Sequence, residues 1–102
     1  MIRFEILLPL FYNDGRAVED HKFVETDDEL VSAFGATSTD TVVVRGHWLY
    51  QSTIYEDRLI RVRLDVDDTV ENWKLVRDIK EVLKTRFEQL DMWISAHRIE
   101  IV

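Results

Sequence analysis

Cysteine is absent from the chain, which excludes disulfides, thiol nucleophiles and cysteine-held zinc or iron–sulfur centres. Proline occurs once and glycine three times, so regular elements joined by short turns are expected, without linkers or low-complexity stretches. Long hydrophobic runs are missing as well. Arg3 and Glu5 interrupt the one apolar stretch near the start, which therefore reads neither as a membrane span of about 20 residues nor as a signal peptide. A cytoplasmic location and no membrane partner are expected. Basic charge is scarce: the net charge is −7, the wrong sign for neutralising phosphates, and nucleic acid is an unfavoured partner.

What is present is a chain of 102 residues, 46% of them hydrophobic and 32% charged, which suits one globular domain spanning 1–102 with one core. The acidity is local. Residues 13–40 hold eight acids against Arg16 and Lys22, a charge of −6, so the remainder carries only −1.

Alternation predicts a first strand over 2–10, with Ile2, Phe4, Ile6 and Leu8 inward and Arg3, Glu5 and Leu7 outward. Pro9 should weaken pairing at its end, and Asn13-Asp14-Gly15 is a turn signal. Residues 16–25 read as a polar loop. Thr26-Asp27-Asp28-Glu29 has the form of a capping box, starting a short helix that Gly35 ends. Thr41–Tyr50 is rich in strand formers, with Gly46 marking a bulge or close approach. Gln51–Asp57 makes the turn or an irregular hairpin end, and Arg58–Val66 is the cleanest strand, with Ile60, Val62, Leu64 and Val66 inward.

A second helix is expected from Asp67-Asp68-Thr69, with Asp68 and Glu71 as a second capping box. Its apolar stripe runs through Trp73, Val76, Ile79, Val82, Leu83 and Phe87 to Leu90. The last strand, Met92–Val102, changes parity between Ala96 and Ile99, which predicts a bulge or break near His97-Arg98. The order β, α, β, β, α, β with right-handed crossovers predicts an α+β, ferredoxin-like βαββαβ two-layer sandwich. Its four-stranded antiparallel sheet has the order 4-1-3-2, with both helices on one face.

The other face is left open. Counting by alternation puts Arg3, Glu5, Leu7, Arg61, Arg63, Asp65, Val43, Arg45, His47, Leu49, Trp93 and Ser95 on it. Three readings follow. The charges form cross-strand pairs such as Arg3 with Asp65, or two copies meet as a homodimer, or the face binds single-stranded RNA. The last needs stacking aromatics on the central strands, where Arg, Glu and Asp stand instead.

Candidate chemistry is sparse. His21, His47 and His97 lack metal-ligand spacing, and no glycine-rich phosphate loop occurs, so neither metal nor cofactor is expected. The densest polar-aromatic stretch is Gly46–Tyr50 with Tyr55–Arg58. His47 with Glu56 or Asp57 is a candidate acid–base group, against the plainer reading of aromatics favoured in strands and a polar turn. Candidate binding residues are Arg45, His47, Trp48, Tyr50, Tyr55, Arg61, Arg63 and Trp93. Tyr12–Gly15 is a lesser candidate.

Thr41-Val42-Val43-Val44-Arg45-Gly46-His47-Trp48, then Glu56, then Arg86-Phe87-Glu88-Gln89 resembles an uncharacterised bacterial family of small ferredoxin-like proteins. That family is marked by Gly-x-Trp, an acidic residue and Arg-Phe-x-Gln, and many of its members are exported. The likeness spans residues 41–94 and implies the fold without an activity; the N-terminal half departs from the pattern. It draws attention to an Arg86–Glu56 pair. The functional readings are a homodimeric interaction or small-ligand-binding module, a cofactor-independent small-molecule enzyme of the dimeric α+β barrel type, or a regulatory small-ligand domain.

Overall fold

The computed structural model describes residues 1–40 and 42–102. The elements are β1 (Ile2–Pro9), α1 (Asp20–Phe34), β2 (Ser38–Thr39), β3 (Val44–Tyr50), β4 (Thr53–Val66), α2 (Val70–Arg86) and β5 (Ile94–Arg98). Thr41, the expected first residue of the second strand, lies outside the described residues.

β1 runs between β4 and β5, antiparallel to both. The far edge of β4 is shared: β2 pairs with Val62 and Arg63, and β3 with residues 53–59. The sheet thus differs from the expected four strands in having that edge divided between two. Ile2, Phe4, Ile6 and Leu8 of β1 and Val62, Leu64 and Val66 of β4 are buried with Leu30 of α1 and Val76 and Leu83 of α2. Both helices therefore cover the same sheet face, and the alternation in β1 and β4 is the cause.

α1 starts six residues before the expected capping box, with Glu19 as N-cap. Thr26 is interior and 1% exposed. Its hydroxyl donates to the Lys22 carbonyl (2.7 Å) and accepts from Arg86 Nη1 (2.9 Å). The winning signal is the stripe Phe23, Thr26, Leu30, Phe34, in which a threonine fills an apolar position because an arginine meets it. Glu29 does not reach back. It accepts from Arg86 Nη2 at 2.6 Å, so the expected Arg86–Glu56 pair is not formed, and Glu56 pairs with Arg45 instead. Replacing Thr26 by valine should strip a nearly buried guanidinium of an acceptor. We expect a loss of about 1–3 kcal/mol, read by calorimetry as roughly 4–8 °C of melting temperature per kcal/mol.

α2 is capped by Thr69, whose side chain accepts from the Asn72 amide, rather than by Asp68. Asp68 accepts from Trp73 Nε1 (2.8 Å) and Arg98 Nε (3.0 Å). The helix stops sooner than expected. Glu88 is left-handed (φ 53°), and the Gln89 amide turns back to the Lys84 carbonyl at 2.9 Å, a helix-ending arrangement usually built on glycine. Phe87 is the last residue of the expected stripe to reach the core, and Val82 and Leu90 of that stripe are exposed. β5 ends at Arg98, the position where the parity changed, and the Ile99 amide bonds to the Met1 carbonyl.

The turn between β3 and β4 is only Gln51-Ser52, both with positive φ (48° and 64°), a two-residue hairpin turn whose twist suits the strands. Thr53–Asp57, expected as turn, is therefore strand. β1 reaches only to Leu59 of β4, so the hairpin tip projects past the sheet. Gly46 stays in register, without a bulge. A Cβ there would meet Leu59 Cδ1 at 3.3 Å, so the glycine answers a close approach.

Candidate functional site

The middle of the open face is a lattice of ion pairs. Arg3 Nε meets Asp65 Oδ1 at 2.7 Å, directly across the register. Arg61 lies 3.8 Å from Glu5 and 3.6 Å from Asp40, and Arg63 also pairs with Asp40. The hydrogen bonds from Arg3 hold the Asp65 carboxyl below its usual range. A carboxylate depressed in the folded state supports folding above its unfolded pKa of about 3.9 and loses that support as pH falls through the folded value. The Asp65→Asn variant should therefore lose stability less steeply than the parent as pH falls below about 4, as chemical denaturation at a series of acid pH values would show.

Hairpin parity places β3 differently from the alternation count. Odd residues of β4 face away from the helices with Arg61 and Arg63, and the register sets Asp57 against Gly46 and Tyr55 against Trp48. Val44, Gly46, Trp48 and Tyr50 therefore lie on the open face. Arg45, His47 and Leu49, expected there, lie on the reverse side with Ile54, Glu56 and Arg58. A short two-residue turn fixes this, because a shift of one residue inverts a strand.

At this end of the open face the sheet, the hairpin and the loop from Gln89 to Trp93 enclose a groove of about 520 Å³. Its floor is Leu7, Pro9, Gly46 and Leu59; its walls are Trp48, Tyr50, Leu90 and Trp93, with His47, Asp57, Gln89 and Asp91 as polar groups. The volume is that of a small-molecule site. Trp48 Nε1 donates to Asp57 Oδ2 at 2.6 Å, and Tyr55 stacks on the indole with centroids 4.5 Å apart. The indole is thus fixed in plane and edge. Trp93, by contrast, is 72% exposed at the rim.

Of the expected site residues, Trp48, Tyr50, Asp57 and Trp93 come together here, while His47, also at the groove's edge, stands opposite Glu56 on the reverse side. Tyr55 and Glu56 line a second hollow of about 310 Å³ with Phe11, Tyr12, Asn13, Asp57 and Arg58, so the two stretches singled out in sequence do meet and Asp57 borders both hollows. Arg45 is held by Glu56 at 2.8 Å on the reverse side, and Arg61 and Arg63 sit in the ion-pair lattice away from the groove. Tyr12 is buried, donating to Glu19 beneath Arg16 and Lys22. No three His, Asp or Glu gather as metal ligands among the described residues. Pattern reading missed Leu59 and the Gln89–Asp91 loop. Parity counted back from β4 would have found Leu59, whereas nothing local marks the loop.

No helix among the described residues is long and apolar enough to cross a membrane. No protein family and no curated protein matches the chain in sequence. Solved structures do match in shape. A phage SAM lyase in complex with S-methyl-5′-thioadenosine is similar at TM-score 0.71 and 13% identity, over 94% of this chain and 79% of that one. A divalent cation tolerance protein (CutA1) from Thermus thermophilus is similar at TM-score 0.65 and 13% identity, over 100% and 87%. CutA1 from Pyrococcus horikoshii is similar at 0.62 and 14%, over 100% and 86%. At these identities the likeness fixes the fold alone: this chain is a ferredoxin-like α+β protein.

Proposed function

We propose that the protein is a self-associating small-ligand-binding module whose ligand site is the groove at the end of the open face. The carrying observation is the pairing of a 520 Å³ aromatic groove with apolar surface left in water around it. Leu90 and Trp93 stand exposed at the rim, and Leu49 and Ile54, opposite each other on the reverse of the hairpin, are 70% and 71% exposed. Contiguous apolar surface of this kind marks contact with another molecule. A homodimer through the middle of the open face would have to bury the ion-pair lattice, an expensive desolvation. The apolar end offers surface without that penalty. Since the tip of the hairpin carries Leu49 and Ile54 on its reverse side, that tip of one copy suits the rim of the next, a head-to-tail contact.

Acrylamide quenching of tryptophan fluorescence across a dilution series tests this. Trp93 should be shielded at high protein concentration and accessible at low, and Trp93→Phe should abolish the difference. Quenching independent of concentration would count against assembly at the rim.

The cofactor-independent enzyme is a second reading, resting on Asp57 as the acid–base carboxylate in the groove; His47 stands opposite Glu56 on the reverse of the hairpin and does not face Asp57. One shape neighbour is a lyase. Turnover lost in Asp57→Asn, with binding of an uncharged ligand retained, would support catalysis. A regulatory ligand-binding role uses the same groove, and the resemblance of residues 41–94 to the small ferredoxin-like family belongs to the same proposal, as a kinship of the hairpin and the α2 end.

A further inference from the structure

We infer that the groove selects an organic cation with a flat apolar body, the charge being met by Asp57; this rests on the reading of the groove as a ligand site. The lining contains two charged side chains, Asp57 and Asp91, and neither a lysine nor an arginine. An anion entering it would meet like charge and no cationic partner. Asp91 is already held by Lys80 at 3.1 Å. Asp57 is different. Its one hydrogen-bond donor among the described residues is the uncharged indole of Trp48, on Oδ2, and it has no ion-pair partner there.

A carboxylate on an apolar wall without a counter-charge favours a cation that brings one. The aromatic walls act the same way, since ring faces attract an ammonium or similar cation. Tyr55 occupies one face of Trp48 from the side of the second hollow, and Tyr50 lies tilted beside the indole at 6.2 Å between centroids, so the two rings together frame the aromatic surface offered to the ligand. Tyr50 and Trp93 supply further rings on the walls. The floor of Leu7, Pro9 and Leu59 takes an apolar body, and Gly46 presents no side chain beyond its backbone. Each part of the lining points to the same chemistry: positive at one end, flat and apolar along the rest.

The test uses the full chain labelled with ¹⁵N, following the indole N–H signals of Trp48 and Trp93. Three probes share one ring system and differ in charge: tryptamine, 3-methylindole and indole-3-propionate. Tryptamine should bind at least about tenfold more tightly than indole-3-propionate, with 3-methylindole between them. Asp57→Asn keeps an oxygen acceptor for Trp48 but removes the charge, and should bring tryptamine close to 3-methylindole. Asp91→Asn should change the ratio little. Equal or tighter binding of indole-3-propionate, or a cation preference that survives in Asp57→Asn, overturns the assignment of charge while leaving the groove as a ligand site. Failure of all three probes to move either indole signal overturns both. Should Asp57→Asn displace the free-state Trp48 signal, the tryptamine to indole-3-propionate ratio of the parent protein still decides.

Discussion

Replacing Phe87 by alanine should remove about 3–5 kcal/mol of folding free energy, a large part of the 5–15 kcal/mol typical of a domain this size. Phe87 is fully buried at the end of α2, and its ring packs on Phe23 of α1 with centroids 5.4 Å apart. With Arg86, which bonds Thr26 and Glu29, it ties the two helices together where α2 stops, and its own amide bonds to the Leu83 carbonyl. Truncation leaves a cavity beneath a fixed helix end, and the surroundings can collapse only partly into it. The melting temperature should fall by more than about 12 °C. Val82→Ala is the control. The two residues share a stripe in sequence, yet Val82 is 48% exposed, and its loss should shift stability by less than about 0.5 kcal/mol. Equal losses from both variants would mean that the helix is rotated from the orientation described.

Aspartates placed together at Leu49 and Ile54 should keep the chain single at concentrations where, under the proposed function, the parent assembles. The two positions face each other across the hairpin, and both side chains stand in water in one chain, so the substitution leaves the core untouched. Its cost to the isolated chain is the repulsion of two opposed carboxylates, tenths of a kcal/mol. In the assembly the same carboxylates would have to leave water without partners, at several kcal/mol each. The expected result is a sedimenting mass of 12.1 kDa with a melting curve close to that of the parent at concentrations too low for assembly. A double variant that still assembles removes the reverse of the hairpin from the contact.

The strands of the core were legible because β1 and β4 obey strict alternation over charged and apolar residues, and a half-buried strand admits no other register. The start of α1 was not. Thr26-Asp27-Asp28-Glu29 is a sound local cap signal, but Thr26 is claimed by Arg86, sixty residues away in sequence, and no local pattern carries that contact. The end of α2 was hidden for a similar reason: Glu88 takes a left-handed backbone that sequence assigns to glycine. For the groove, naming the stretch around Trp48 required only composition. Placing it required knowing that the hairpin turns on Gln51-Ser52, because one residue more in the turn would exchange Trp48 for His47 on the open face. The loop carrying Leu90 and Trp93 reaches the groove only through the path of the chain after α2.

The most direct test of assembly around the groove is the mass of the unaltered protein by sedimentation equilibrium over a range of concentrations. A mass that rises to a multiple of 12.1 kDa, lowered again by Trp93→Asp, is the predicted result. A single 12.1 kDa species at every concentration would contradict it, leaving the rim of the groove bare in solution.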